Sequence, residues 1–190
     1  MAWQALWIVR MIFWLALAAA TAWLLWYMVK VPGVSYAGAL KPLTEEERII
    51  VGRLRTHVAA IAGSEHNFLK AAELEAAARY IEQALAGTGL EVATQSLVSG
   101  PGEVRNIEVE VRGGAAASEI IIVGAHYDSV LGAPGANDNA SGVAAVIELA
   151  RLFAAEKPTR TLRFVAFVNE EPPFYHSDAM GSRHYARRSR

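Results

Sequence analysis

The chain has 190 residues, 53% of them hydrophobic, and a formal net charge of −1. That balance offers no electrostatic footprint for a nucleic-acid partner. With no cysteine, neither a disulfide framework nor a thiolate metal site can form, and the length suits one domain, or part of one, with an appendage.

The appendage is residues 1–31. From Met11 to Val29 no residue is charged, and a bilayer core needs about 20 apolar residues in a helix. Arg10 and Lys30 bracket the run. Trp3, Trp7, Trp23, Trp26 and Tyr27 gather toward its ends, as interfacial aromatics do, with Trp14 the exception. No face of the run is polar, which argues against a core helix. A transmembrane helix over about 11–29 is the expectation. The rival is a cleaved signal peptide cut near Ala18-Ala19-Ala20, but Trp23-Leu24-Leu25-Trp26 carries the apolar run past that point. The Lys/Arg bias, though weak, places the N-terminus in the cytoplasm and the following domain outside it.

Residues 32–43 hold Pro32, Gly33, Gly38 and Pro42 and read as a linker. A domain over 44–190 follows. Thr44-Glu45-Glu46-Glu47 has the form of a capping box. Behind it, Ile50, Leu54, Val58 and Ile61 recur at helical spacing, and Gly63 ends the element. A second helix covers about 71–86, with Leu74, Ala78, Ile81 and Leu85 on its inner face and Gly87 as its stop. The period then shortens to two. Residues 90–97 read as a strand. Ile107, Val109 and Val111 alternate with Glu108, Glu110 and Arg112 in a half-exposed one. After the Gly113-Gly114 turn, residues 120–125 are continuously apolar, as expected of a strand covered on both faces. A Gly- and Pro-rich loop over 131–137 leads to a helix over 141–155 and an apolar strand over 162–168. Pro172-Pro173 forbids helix at once, and Ser182 is placed to cap a final helix. Strands alternating with helices argue an α/β sandwich, and in such sheets ligands gather at the carboxyl ends of the strands.

His126 and Asp128 follow one strand end, Glu170 and Glu171 another, and Asp138 precedes a helix. An imidazole with carboxylates suits zinc, with cobalt or manganese able to substitute. On that reading His126 is a metal ligand. Asp128 receives its other ring N–H and fixes the tautomer. Asp138 bridges two metals, Glu171 binds the second, and Glu170 is a general base. Each residue also has a plainer reading. A lone His after a strand is commonly structural, Asp138 can cap the following helix, and a Glu-Glu pair is commonly solvated.

Three stretches carry a resemblance: Gly124-Ala125-His126-Tyr127-Asp128-Ser129, Gly135-Ala136-Asn137-Asp138-Asn139-Ala140-Ser141-Gly142, and Phe167-Val168-Asn169-Glu170-Glu171. Together they resemble the co-catalytic (double-zinc) metallopeptidases. That family contains bacterial aminopeptidases, glutamate carboxypeptidases and transferrin-receptor-like proteins. The resemblance covers about 44–190 and implies a three-layer α/β/α sandwich with a mixed sheet, here only its N-terminal part. It implies two Zn²⁺ ions, with His126, Asp138 and Glu171 as ligands, Asp138 bridging, Glu170 as base and Asp128 as the partner of His126. It implies a peptide substrate. It leaves specificity and oligomeric state open.

Two departures accompany it. Nine residues, Pro172 to Met180, separate Glu171 from Gly181-Ser182, where many members carry a shorter link. The family's further carboxylate and His ligands fall beyond residue 190, so these residues alone are expected to be inactive. His176 and His184 match no ligand position, and His57 and His66 read as structural or surface residues. The leading expectation is a membrane-anchored aminopeptidase. The alternatives are a glutaminyl-cyclase-like acyltransferase using one zinc, and a non-catalytic receptor-like relative.

Overall fold

The computed structural model describes residues 2–99 and 102–188. The chain divides into two compact units, Met1–Pro42 and Leu43–Arg190.

The first unit is a single long helix, α1 (Ala2–Val29), with extended chain behind it. Trp3–Val29 has a mean hydropathy of 2.0 and no buried residue, so the helix is long and apolar enough to cross a membrane. Near its end, Trp23 stacks on Tyr27 at 5.6 Å, and the Lys30 ammonium sits 4.5 Å from the Trp26 ring.

The second unit holds helices α2 (Glu45–Ile61), α3 (Ala71–Ala86), α4 (Ser141–Phe153) and α5 (Gly181–Arg188). Its strands are β1 (Val92–Ser99), β2 (Gly102–Val111), β3 (Ala116–His126) and β4 (Arg160–Phe167). They form one mixed sheet in the order β1-β2-β4-β3. The β1–β2 and β2–β4 pairs are antiparallel, and β3 runs parallel to β4. The core lies on one face, where Ile107, Val109, Phe164 and Ala166 meet Leu74, Ile81 and Leu85 of α3 and Val143 and Ile147 of α4. Helix α2 packs on both of these helices. On the opposite face, Tyr185 of α5 donates to Glu108 and packs edge-on against Phe167. Helices on both faces make three layers.

The local signals explain most boundaries. Thr44 and Glu47 close a complete capping box at the start of α2. Helix α3 keeps its sequence limits, but Gly87 is right-handed (φ −64°), and the positive φ that ends the turn falls on Gly89 (φ 84°). Helix α5 begins at Gly181, a residue before the suggested cap. A Cβ at Gly181 would collide with the Val168 carbonyl oxygen and the Asn106 side chain, so only glycine fits there.

The described residues do not cover residues 120–125 on both faces. Among the described residues β3 is the sheet's edge, and Ile120, Ile121 and Ile122 remain 44–45% exposed. The apolar run marks an extended chain, but its burial depends on which neighbours flank it, and a single strand's composition does not encode that.

Candidate metal centre

Parallel pairing sets the site. His126 is the register partner of Phe167, and the Tyr127 N–H donates to the Phe167 carbonyl at 2.8 Å. The chain therefore leaves β3 and β4 at the same edge, with Asp128 beside Glu170 and Glu171. The buried Asp128 carboxylate binds both of those segments. Its two oxygens accept the backbone N–H groups of Glu170 and Glu171, each at 3.0 Å. This differs from the expected pairing of that carboxylate with the ring of His126. The ring Nδ1 instead meets the backbone oxygen of Asp128 at 3.1 Å, an acceptor that fixes the tautomer equally well. The nearest carboxylate oxygen is 3.6 Å from Nδ1 and acts on the ring through its charge.

Asp138 reaches the cluster through an irregular turn. Gly135 takes a left-handed conformation (φ 67°), and Asp138 (φ −122°, ψ 91°) and Asn139 (φ −138°, ψ 36°) leave helical geometry before α4 begins. The peptide bond between them is cis. This kink turns Asp138 away from the helix and toward β3, where its Oδ1 lies 2.9 Å from Nε2 of His126. Capping passes to Asn139, whose side-chain oxygen accepts the Gly142 N–H at 3.1 Å. A Cβ at Gly142 would collide with that side chain, so the Asp-Asn-Xaa-Ser-Gly spacing has a packing cause.

Nε2 of His126 is free of any structural carbonyl and faces carboxylates. One ligand atom each from His126, Asp138 and Glu171 lies within 4.8 Å of the others. Glu170 Oε2 stands 3.6 Å from the same nitrogen. Burial disfavours a charged imidazole, but Asp128, Asp138 and Glu170 outweigh it and raise His126 to about 9. Burial first, and then Asp138, Glu170 and Asp128, push the Glu171 carboxyl above the usual carboxylate range, with His126 opposing. Asp138, Glu170 and Glu171 gather carboxylate oxygens around one imidazole, a donor set that calls for a cation. One nitrogen among oxygens fits zinc.

The remaining histidines lie elsewhere. His57 is buried between the Tyr80 hydroxyl (2.8 Å) and Glu148 (3.0 Å). His66 is buried with its backbone paired to Ser129: its N–H donates to the Ser129 hydroxyl at 3.0 Å, and its carbonyl accepts the Ser129 N–H at 2.9 Å. His176 and His184 belong to the surface beyond Glu171. Asn106 escaped the sequence reading. Its side chain donates to the Gly181 carbonyl (2.9 Å) and accepts from the Val168 N–H (3.1 Å), so it ties both ends of the Glu171 loop to β2. No periodicity marks it. The one available signal is an amide directly before an alternating strand run.

The Pro172–Met180 segment is fastened at several points. The Phe174 N–H donates to the Glu171 carbonyl at 3.0 Å, Arg183 donates to the His176 carbonyl at 2.7 Å, and Arg187 pairs with Asp178 at 2.7 Å. Phe174 meets Phe68 edge-on at 5.6 Å.

Comparison with known proteins converges on the same stretch. An uncharacterized protein, YfbL, of Escherichia coli (strain K12) is 41% identical over 117 residues, covering 57% of this chain and 36% of that one. A probable zinc metalloprotease of Pyricularia oryzae is 37% identical over 112 residues, covering 51% of this chain and 22% of that one. The chain thus spans about a third or less of these relatives. Among solved structures, an aminopeptidase from Aneurinibacillus sp. strain AM-1 aligns with a TM-score of 0.63 at 17% identity, over 72% of this chain and 66% of that one. An Acidobacteriales bacterium glutaminyl cyclase aligns with a TM-score of 0.60 at 20% identity, over 82% and 57%. At such identities these two share the fold. Residues 106–190, which contain every member of the cluster, match the model described as peptidase family M28, and over that stretch the chain is similar to those peptidases.

Proposed function

We propose that the chain is part of a zinc-dependent exopeptidase of aminopeptidase type, held at a membrane by α1 with its second unit outside the cytoplasm. The observation that supports this most is the mutual approach of His126, Asp138 and Glu171 within 4.8 Å at the carboxyl edge of the sheet. In this reading His126, Asp138 and Glu171 would be the residues that hold Zn²⁺. By resemblance, the family's ligand set also includes a further carboxylate and a further His. Bound zinc supplies a Lewis acid for the scissile carbonyl and eases deprotonation of water.

The chain's own residues do the rest. Glu170 sits beside the ligands, with its N–H held by Asp128 and its carboxylate 3.6 Å from Nε2 of His126. It takes a proton from the attacking water and returns it to the departing amine. Asp128 fixes the spacing between the two strand ends, and its charge favours a firmly held His126 ring. Retention of both Asp138 and Glu170 speaks against a receptor that keeps only the fold. The name of the Pyricularia oryzae relative, a probable zinc metalloprotease, supports the substrate class.

The test uses the full-length protein in detergent. We expect it to hydrolyse leucyl-p-nitroanilide, to lose that activity on chelation and to regain it with zinc. Cyclisation of an N-terminal glutaminyl peptide without hydrolysis would overturn the reading.

A further inference from the structure

Glu170 and Glu171 stand on a turn outside regular structure, because β4 ends at Phe167. Past them, nine residues run out over Pro172–Met180 before the chain returns at Gly181. An excursion of that length ordinarily leaves its stem mobile. Here the stem is closed. The buried Asn106 sits one residue before Ile107, the last β2 partner of β4. Besides its bonds to Val168 and Gly181, its Nδ2 donates to Gln95 Oε1 at 3.0 Å. Both amide protons and the oxygen are thus engaged, which holds the side chain in one orientation. The Gly181 N–H completes the neck by donating to the Val168 carbonyl at 2.8 Å.

Asn169 lies between this neck and the two glutamates. It is buried, and its φ of 59° falls in the left-handed region that most side chains avoid and Asn tolerates. Its Nδ2 donates to the Ala179 carbonyl at 3.2 Å, across the excursion. The reversal of backbone hand at Asn169 turns the next two N–H groups, those of Glu170 and Glu171, to one side. They converge there on the two oxygens of Asp128. Successive N–H groups aimed at one anion form a concave seat for it. With both N–H groups fixed, the two side chains leave the turn in set directions. Glu170 Oε2 comes 3.6 Å from Nε2 of His126, and Glu171 comes within 4.8 Å of His126 and Asp138. The Asn169 amide is spent on a carbonyl outside the cluster, so its effect on the cluster passes through the backbone.

We propose that Asn169 is a positioning residue of the candidate site: its left-handed turn, above the neck closed by Asn106, aims Glu170 and Glu171 at His126 and Asp138. The kinetic consequence rests on the peptidase reading above, whereas the geometric one does not. A reacting group misplaced by about 1 Å costs on the order of a hundredfold in rate. Glycine adopts a positive φ freely, so Asn169→Gly keeps the turn while Asn169→Ala opposes it. The pair separates the hand of the backbone from the mere presence of a polar side chain.

Two measurements on the full-length protein in detergent test it. The first is hydrolysis of leucyl-p-nitroanilide at saturating zinc. In Asn169→Ala kcat should fall about ten- to a hundredfold while KM stays within about twofold, and Asn169→Gly should recover most of the loss. The second is amide hydrogen exchange of the zinc-free protein, read by NMR. In Asn169→Ala the Glu170 and Glu171 N–H groups should exchange about tenfold faster or more, while Ile107 and Phe164 in the sheet keep their wild-type rates. In Asn169→Gly all four should stay within about threefold of the wild type. A loss of kcat that glycine fails to recover, exchange that quickens equally across the sheet, or unchanged exchange at Glu170 and Glu171 would each overturn the proposal. If the wild type hydrolyses no anilide, the peptidase reading fails on its own, and the exchange rates alone decide the role of Asn169.

Discussion

At the scale of single residues, the carboxylates divide by position. Asp128 is spent on two backbone N–H groups, whereas Glu170 keeps its oxygens free beside His126. Glu170→Gln in the full-length enzyme should therefore cut turnover by roughly 10²–10⁴ with zinc content unchanged, the usual worth of a positioned base. Asp138→Asn should lower zinc content instead, because it removes a charge from the ligand set. Metal analysis alongside peptidase kinetics separates the two. Near-normal turnover in Glu170→Gln would remove its assigned role. The positions of His126, Asp138 and Glu171 at element ends were legible in the sequence, and so was the order of the motifs. The kink at Asp138–Asn139 was not, because an Asp before a helix reads locally as a cap. The transfer of capping to Asn139 depends on Gly142 leaving room, and that shows only in packing. Nor was the choice of the Asp128 backbone oxygen by His126, since spacing alone assigns no atom.

At the scale of elements, α2, α3 and α4 meet around one polar knot. Glu148 of α4 is 3% exposed and faces His57 and Arg53 of α2, Arg151 of α4 and, through His57, Tyr80 of α3. Burial raises this carboxyl, but hydrogen bonds from His57 and Arg151 prevail and hold it below the usual value. A folded-state value depressed below the unfolded one contributes stability above the unfolded pKa, about 4.3, and loses it as pH falls through the folded value. Glu148→Gln should lower stability at pH 7 by about 1–3 kcal/mol, as His57 and the arginines lose a charged acceptor. The gap in melting temperature from the wild type should narrow below about pH 4. Thermal melts across pH read both effects, and a gap constant with pH would refute the linkage. The sequence exposed the helices through apolar periodicity but hid this knot. A Glu on an otherwise apolar helix looks solvated until its neighbours are known.

At the scale of the whole molecule, α1 is chemically unlike the rest. Its apolar residues are unburied within the protein, and aromatic rings and a lysine mark its last turn. We expect the protein to stay with membranes through alkaline carbonate washing of fractionated cells. Release of a shortened soluble form would instead identify a cleaved signal. The long apolar run made this element the plainest part of the sequence. By contrast, strand order was not legible. Apolar runs at 120–125 and 162–168 look alike, yet β4 lies inside the sheet and β3 at its described edge.

The parallel register that sets His126 opposite Phe167 has a thermodynamic consequence. The ligands lie far apart along the chain, and an unfolded polypeptide holds them at no fixed separation. On the proposed reading, zinc would recognise the native ensemble almost exclusively, and occupancy would become a term in the folding equilibrium. Saturation at a hundred times the dissociation constant adds about 2.7 kcal/mol to unfolding. The melting temperature of the full-length protein should climb with the logarithm of free zinc above that constant. In Asp138→Asn the same climb should begin only at higher zinc, which makes a melting curve a gauge of how well the two strand ends are joined.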